Sequence, residues 1–322
     1  MNPNMITRHA KAFPLSETLC LPLGASKNEQ GGPHRRSGVV ISEQGFSYVP
    51  ERARIKKLAQ DYRIRLATWN IETLTGKTKE LVDTMLRRRI SIAYLQKTKW
   101  VGEKAMEIED TGYKLYYTGK DRHRNGVGIV VDKHLKDSVV TVTRKGDRII
   151  LVKFVIGESI VNIISAYAPQ IGLDDFIKEQ FWAQMDDVVQ GIPFKEKLFI
   201  GGDFNGYVGV HKQWYEKVHS GFGFDDINKG GRRILDFAAA FDLIVGNTFY
   251  RKLDEHLIIF KSGANRSQIN YFLARGTDRL TCKDCKVILG ECLVAQHRLL
   301  VLDICLMRNN RRRKETRCPQ TK

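Results

Sequence analysis

Apolar and polar positions along the chain follow two periods, which predict strands and helices in a mixed order. Apolar residues three and four positions apart predict helices over 77–89, 173–192 and 231–242. Apolar or alternating runs of four to nine residues predict strands, because successive strand side chains point to opposite faces. These runs lie at 64–71, 90–96, 113–118, 126–131, 138–143, 148–156, 160–166, 197–205, 243–246, 257–260, 269–274, 285–289 and 298–306.

The order of these elements favours one fold class. Helices separated by several consecutive strands predict mixed sheets and exclude a doubly wound parallel sheet. We therefore expect an α/β fold, a four-layer sandwich of two packed mixed β-sheets flanked by helices. One domain over 63–307 accounts for all predicted elements, and the Lys-Gly-Asp of 145–147 predicts a hairpin turn within it.

The two ends of the chain have a different composition. Residues 1–62 show no sustained period and mix Gly, Pro, Ser and charged residues, which predicts a disordered basic leader. Residues 308–322 contain seven Lys/Arg and one Asp/Glu and are predicted to be a basic tail. Basic ends on a chain of net charge +17 favour a polyanionic partner, with nucleic acid ahead of a membrane surface, while a solubilising role explains them equally well.

The remaining composition bears on location. The first residues lack the unbroken apolar core of a signal peptide, so the six cysteines indicate a reduced intracellular protein rather than a disulfide framework. No run approaches the ~20 apolar residues of a membrane helix. We expect no membrane association.

Polar residues interrupt the apolar runs at the ends of several predicted strands. Any one of them is weak evidence, because an Asp-x-Asn after a strand is usually a turn and a lone histidine is usually structural. The segments are ATWNIE (67–72), AYLQKTK (93–99), SAYAPQ (165–170), GGDFNG (201–206), QINYFL (268–273) and AQHRLL (295–300). Taken in order, they are far more specific.

The ordered set resembles the endonuclease/exonuclease/phosphatase superfamily, whose fold is DNase I-like. The resemblance extends over about 64–306 and is strongest in the segments GVGIVVDK, DRIILVK, VHSGFGF, DFAAAFDLIVGNTF and QHRLLVLD. These segments look like the endonuclease domain of RTE-type non-LTR retrotransposons and the craniofacial development protein 2-like proteins. The resemblance implies hydrolysis of phosphodiester bonds in DNA with the help of Mg²⁺ or Mn²⁺.

The resemblance also implies roles for individual residues. Asp203 would orient and deprotonate the attacking water, and Asn205 would hold that water or a phosphate oxygen. Tyr167 would contact the phosphate, and His297 would donate to a non-bridging oxygen. Asn70 would help to hold the metal ion, which needs at least one firm carboxylate.

Three positions depart from the family pattern. Lys97 stands where the family has the metal-binding Glu, and an ammonium group cannot ligate a cation. Asn270 stands where an Asp usually supports the catalytic histidine, and an amide carries no charge. Gln296 replaces an Asp, a milder change because the RTE-type branch commonly has Gln-His there.

These departures lead to three expectations for function. The first is a retrotransposon-derived DNA endonuclease domain that is catalytically impaired by Lys97 and Asn270. The second is a nucleic-acid-binding module without cleavage, in which the Lys97 ammonium imitates the lost ion, pairs with Asp203 and attracts phosphate. The third and weaker is a phosphatase of the same superfamily. We expect DNA as partner, no small-molecule cofactor, a monomer and a nuclear location.

A zinc site is a further alternative. Cys282, Cys285, Cys292 and His297 have the spacing C-x₂-C-x₆-C-x₄-H. The apolar VILGE between the cysteine pairs favours a strand instead, and the resemblance already assigns His297 to the phosphate site.

Overall fold

The computed structural model describes residues 61–291 and 293–307 of the 322-residue chain. This part contains the helices α1 (Thr78–Arg88), α2 (Asp175–Gln190) and α3 (Lys229–Ala240). Its strands are β1 (Tyr62–Asn70), β2 (Ile92–Gln96), β3 (Gly102–Glu107), β4 (Lys114–Gly119), β5 (Val127–Val131), β6 (Val139–Lys145), β7 (Ile149–Ile156), β8 (Ser159–Tyr167), β9 (Lys197–Asp203), β10 (Leu243–Val245), β11 (Phe260–Ser262), β12 (Asn265–Ser267), β13 (Asn270–Arg275), β14 (Cys282–Ile288) and β15 (Leu299–Leu306).

Two mixed sheets contain nearly all of these strands. Sheet A has the order β14-β15-β1-β2-β5-β4-β3, and sheet B has the order β10-β13-β9-β8-β7-β6. One parallel pair lies near the centre of each sheet, β1 with β2 and β8 with β9. Strands β11 and β12 form a separate small hairpin.

The apolar residues form three layers of core. One layer fills the space between the two sheets, and Leu66, Tyr94, Phe199 and Phe272 belong to it. A second packs α2 and α3 against the outer face of sheet B, and a third packs α1 against the outer face of sheet A. This arrangement confirms the predicted sandwich of two mixed sheets with helices outside.

Two glycines of β9 lie where a side chain would not fit. A Cβ atom on Gly201 would lie 2.8 Å from the Phe272 ring and 2.9 Å from the Tyr94 ring. A Cβ on Gly202 would lie 2.2 Å from the carbonyl oxygen of Ala166. The Gly-Gly pair of β9 therefore lets the strand that ends in Asp203 sit tightly between its neighbours.

The predicted strand boundaries were wrong in two regions. Strand β3 was not predicted, because this edge strand is paired on one side only, is mostly exposed and has no apolar alternation. A strand was predicted over 257–260, but residues 257–259 are buried without forming one, and β11 begins at Phe260. The apolar run there reflects burial alone, and the polar β12 that follows was also missed.

Several predictions concern segments outside the described residues. The leader of 1–62 lies almost entirely there, as do the tail of 308–322 and Cys292. The domain limits of 63–307 therefore stay a prediction. Within the described ranges, no helix combines the length and the apolar character needed to cross a bilayer.

Two cysteines of the alternative zinc site are buried in the core. Cys282 and Cys285 lie among the apolar side chains between the sheets, and burial raises the pKa of both thiols, that of Cys282 to about 12. Burial thus disfavours the thiolate that binds zinc. Across 61–291 and 293–307 there is no group of three or more His, Cys, Asp or Glu side chains arranged for a metal.

Candidate phosphodiester site

The ends of two parallel strand pairs place polar side chains opposite each other across the sandwich. In sheet A, Asn70 at the end of β1 is in register with Gln96 at the end of β2. In sheet B, Tyr167 at the end of β8 is in register with Asp203 at the end of β9. Asn270, the first residue of β13, lies on the other side of Asp203.

A hydrogen bond between the two sheets centres the site on Asp203. Asn70 Nδ2 donates to Asp203 Oδ2 over 2.8 Å, and both side chains are buried. The other carboxylate oxygen, Oδ1, accepts from the backbone N–H of Asn205 over 3.2 Å. Asn205 has φ 50°, a left-handed conformation that asparagine tolerates better than most residues, and its Nδ2 donates to the carbonyl of Ala168.

Burial controls the ionisation of Asp203. The side chain has 1% of its surface exposed, and this desolvation raises its pKa to about 6. The Asn70 amide, the Asn205 backbone N–H and the positive charge of Lys97 oppose that rise. The carboxylate is therefore largely ionised at neutral pH but almost shielded from bulk water.

Lys97 directly follows β2, and its charge acts on this carboxylate. The expected ion pair between Lys97 and Asp203 is not formed within the described residues. Its backbone has φ 56°, so a sharp left-handed turn redirects the chain at the sheet edge. Its Nζ lies 5.8 Å from the centre of the Tyr167 ring, and its charge lowers the pKa of both Asp203 and His297. The structure thus brings Lys97 together with Asn70, Tyr167, Asp203 and His297.

Tyr167 is held between cationic groups. The guanidinium carbon of Arg148 lies 5.1 Å from the centre of its ring, and Arg148 Nη1 donates to the Tyr167 carbonyl. Burial raises the pKa of the Tyr167 hydroxyl, with a smaller contribution from Asp203. The phenol therefore stays protonated and is able to donate a hydrogen bond to an anion.

His297 is buried and uncharged. Desolvation, assisted by the charge of Lys97, lowers its pKa to about 3. Within the described residues, His297 Nδ1 and Asn270 Oδ1 both lack a hydrogen-bond partner. The structure therefore shows no bond from Asn270 that would hold the imidazole in a given tautomer.

Gln296 lies apart from this group. It is exposed, and its Nε2 donates to Ser262 Oγ over 3.4 Å. Its backbone carbonyl accepts from the N–H of Lys261 and so joins the chain to β11. The structure places Gln296 beside the small hairpin rather than at the carboxylate.

The side chains present do not fit a Mg²⁺ or Mn²⁺ ion. Asp203 is the single carboxylate of the group, and Asn70 directs its amide N–H, a donor, towards it. The Asn70 oxygen already accepts from the backbone N–H of Glu72 over 3.2 Å. Because the charge of Lys97 acts on the same carboxylate, the described residues supply positive charge where the ion would need oxygen ligands.

Gln96 was not among the predicted site residues, although it joins both sheets. Its Oε1 accepts from Thr68 Oγ1 over 3.2 Å and from Asn270 Nδ2 over 3.4 Å. Its Nε2 donates to Ser165 Oγ over 3.3 Å. A glutamine that closes an apolar run signals a buried polar role, but its partners are distant in sequence.

Arg148 was also missed, because an arginine beside a hairpin turn is usually solvated. It helps to line an open groove of about 720 Å³ that begins at Lys97 and Tyr167. We call this surface the cationic groove after the positive residues that line it, which are Lys97, Lys99, Lys120, Arg124 and Arg148. Its charge and its position beside Asp203 suit a phosphate backbone.

The raised pKa of Asp203 predicts an unusual pH dependence of stability. The folded-state pKa, about 6, lies above the unfolded value of about 3.9, so the folded protein binds the proton more tightly. Ionised Asp203 therefore lowers the free energy of unfolding at neutral pH, and this destabilisation disappears as pH falls towards 4. Relative to Asp203→Asn, the parent chain should gain about 2–3 kcal/mol between pH 7 and pH 4, measured by urea unfolding in EDTA.

The lowered pKa of His297 predicts the opposite pH dependence of stability. Its folded-state pKa of about 3 lies below the unfolded value of about 6.5, so its contribution is full above pH 6.5 and is lost on acidification. Relative to His297→Gln, the parent should therefore lose stability as pH falls over the same range. Parallel curves for the parent and both variants would contradict the assigned burial of these two groups.

Known proteins resemble the chain in sequence and in structure. No protein-family model matches it. Craniofacial development protein 2 from Bos taurus is 27% identical over 281 residues, and that from Tragulus javanicus is 26% identical over 281 residues. Both matches cover 86% of this chain, which spans about half the length of these curated relatives, 46% and 47%.

Three solved structures share the fold. The endonuclease domain of TRAS1, a telomere-specific non-LTR retrotransposon, has a TM-score of 0.53 and 18% identity over 76% of this chain and 98% of its own. An AP endonuclease from Archaeoglobus fulgidus has a TM-score of 0.54 and 18% identity over 75% and 99%. The 3′ phosphatase NExo from Neisseria, bound to a product DNA hairpin, has a TM-score of 0.54 and 15% identity over 75% and 99%.

These structures are nucleases and a phosphatase built on two packed mixed sheets, and their likeness at such low identity concerns the fold. The chain therefore has the endonuclease/exonuclease/phosphatase fold, and its sequence is similar to that of craniofacial development protein 2.

Proposed function

We propose that residues 63–307 form a retrotransposon-derived DNA endonuclease domain whose metal-dependent cleavage is impaired. One observation carries the proposal: Lys97, at the position where the family has a metal-binding glutamate, lies beside Tyr167 and its charge acts on the buried Asp203 carboxylate. The surrounding side chains are those that the family resemblance assigns to a phosphodiester site, with a positive charge where a carboxylate is expected. Plasmid nicking by the parent chain and by a variant with both lost carboxylates restored tests this directly.

The residues that remain can still recognise a phosphate. Tyr167 presents a protonated hydroxyl, and Lys97 and Arg148 present positive charge around its ring. Asp203 is able to accept a proton because its pKa of about 6 leaves it largely ionised at neutral pH. It is 1% exposed, however, so a water molecule has little access to it. Binding should therefore persist better than hydrolysis.

This consideration favours a second candidate function, nucleic-acid binding without cleavage. The cationic groove supports it, because positive side chains that contact phosphates supply affinity without any metal. In this reading the chain acts in the nucleus as a monomer with DNA as its partner.

Salt dependence tests the groove. Lys99, Lys120 and Arg124 lie on it and form no ion pair within the described residues. Replacing all three by Gln should weaken binding to a 30-bp duplex in EDTA and reduce the slope of log K against log [salt] by up to about 2.7, since each contact contributes about 0.9. Fluorescence anisotropy between 50 and 300 mM NaCl measures both quantities.

The matched control removes the same charge elsewhere. Lys104, Lys212 and Lys217 are exposed lysines outside the groove, and their triple Gln variant should retain most of the parent slope. Equal losses in both triple variants would show that only net charge matters and would exclude the groove as the contact surface.

A further inference from the structure

A second positive surface lies on sheet A, far from the cationic groove. An open pocket of about 800 Å³ forms where β1 begins and β15 ends. Six positive side chains from β1, β14 and the C-terminal end of α1 line it, and we call it the arginine pocket. They are Arg63, Arg65, Arg87, Arg88, Arg89 and Lys283.

The strand register separates this pocket from the candidate site. Tyr62 at the start of β1 pairs with Leu306 at the end of β15, whereas Asn70 closes the opposite end of β1. Eight steps of about 3.3 Å put roughly 26 Å between the two ends of the strand. The arginine pocket and the cationic groove share no lining residue.

Buried and partly buried carboxylates hold three of the arginines in place. Glu291, whose side chain is 3% exposed, accepts from Arg87 over 2.6 Å and also pairs with Arg88. Asp303 accepts from Arg65 Nε over 2.6 Å and from its Nη2 over 2.9 Å. The guanidinium groups are ordered by these contacts and still have exposed surface, so their outer N–H groups are available to an anion.

The positive charge of the pocket exceeds the acidic charge near it. The carboxylates near these cations are Glu291 and Asp303, which pair with three of them, and Asp61, which accepts from Cys305 Sγ at the pocket. Asp284 also raises the pKa of Arg65, but it pairs with Lys252 and Lys286. Three cations of the pocket are exposed and lie in no ion pair of the described residues, namely Arg63, Arg89 and Lys283.

A simpler explanation covers part of this cluster. Basic residues in the last turn of α1 balance the partial negative charge of a helix C-terminus, which amounts to about half a unit. That charge is too small to account for six cations, and three of them come from strands rather than from α1. The three cations of the pocket without an ion pair among the described residues could therefore still bind an anionic ligand.

We propose that the arginine pocket binds the phosphate backbone of a nucleic acid, as a second contact separate from the cationic groove. Guanidinium forks match phosphate oxygens, and a pocket of this size exceeds the needs of a single phosphate. A membrane surface fits less well, because membrane-binding patches add exposed apolar side chains to basic ones. The apolar residues that line this pocket, Ile64 and Ile304, are 5% and 2% exposed, and the exposed Leu86 and Leu280 beside it are two apolar side chains against six cations.

The test replaces the cations that hold no structural ion pair. Arg63→Gln/Arg89→Gln/Lys283→Gln should weaken binding of the full-length chain to a 30-bp duplex by about ten-fold or more at 100 mM NaCl and reduce the salt slope by up to about 2.7. The Lys104→Gln/Lys212→Gln/Lys217→Gln control should change the affinity far less. Circular dichroism and thermal unfolding establish that each triple variant is folded.

Three outcomes would overturn the proposal. The first is an unchanged salt slope in the folded pocket variant, and the second is an equal loss in the lysine control. The third is a loss of binding to phosphatidylserine vesicles with duplex binding intact, which would assign the pocket to lipid headgroups. The plasmid-nicking assay tests the site around Asp203 independently of the arginine pocket. A negative result for the pocket would therefore not contradict the proposed function.

Discussion

Restoring two carboxylates is expected to turn the chain into a working nuclease. The Lys97→Glu/Asn270→Asp variant should nick supercoiled plasmid with Mg²⁺ at least about 10³-fold faster than the parent chain. The first substitution would replace the ammonium whose charge acts on Asp203 with an oxygen ligand for the ion. By the family resemblance, the second would offer a charged partner to His297, whose Nδ1 is buried without a hydrogen-bond partner among the described residues. In an unrelated protease, an amide in place of the carboxylate behind the histidine costs about 10⁴ in rate.

The single variants and one further change make this result interpretable. Lys97→Glu alone should restore part of the activity, since Asn270 still lacks the charge. Adding Asp203→Asn to the double variant should abolish nicking, which excludes a contaminating nuclease. If the parent nicks as fast as the double variant, Lys97 is tolerated and impairment is wrong. A folded but inactive double variant would favour the binding function.

The interface between the two sheets predicts the largest effect on stability. Phe272 is fully buried on β13, two residues after Asn270, and its ring meets that of Tyr94 edge to face at 5.5 Å. Phe272→Ala should lower the free energy of unfolding by about 3–5 kcal/mol. Loss of the ring leaves a cavity between the two sheets, and the sheets can close it only partly. Urea unfolding followed by circular dichroism measures the loss.

The chain supplies its own control for this substitution. Phe176 is 74% exposed on the first turn of α2, so Phe176→Ala should change the free energy of unfolding by no more than about 0.5 kcal/mol. A cost below about 1 kcal/mol for Phe272→Ala would mean that the sheets do not pack through this ring. Such a result would also mean that the packing of Phe272 does not hold the neighbouring Asn270 and Asp203 in place.

The charge inversion at Lys97 connects the stability and activity predictions. The ammonium stabilises the Asp203 carboxylate, because it opposes the desolvation that raises the pKa. It also disfavours a charged His297. A lysine at this position thus supports the folded site in its ionised form, and under the proposed function the same charge would repel a metal ion.

Much of the fold could be predicted from the pattern of apolar residues. Long buried strands such as β1, β7 and β8 have apolar runs that report burial directly. The exposed edge strand β3 has no such pattern, since it is paired on one side and packs little of its surface. Residues 257–259 show the converse, because burial without strand pairing produces the same apolar run.

The candidate site divides in the same way. The sequence by itself determined which strands end in polar residues, and its ordered motifs determined the family resemblance and the three departures from it. It did not determine that Gln96 bridges both sheets, that Arg148 stacks on Tyr167 or that Gln296 lies apart. It also did not reveal the arginine pocket, whose cations lie on β1, at the end of α1 and on the distant β14.

The reason is physical. Periodicity reports how each residue meets its local backbone and solvent, and this is enough to identify strands, helices and their ends. Hydrogen bonds such as that of Asn70 with Asp203, 133 positions apart, depend on the register of separate strands and on how closely two sheets pack. Only the tertiary structure decided those distances, and with them which charge faces the Asp203 carboxylate.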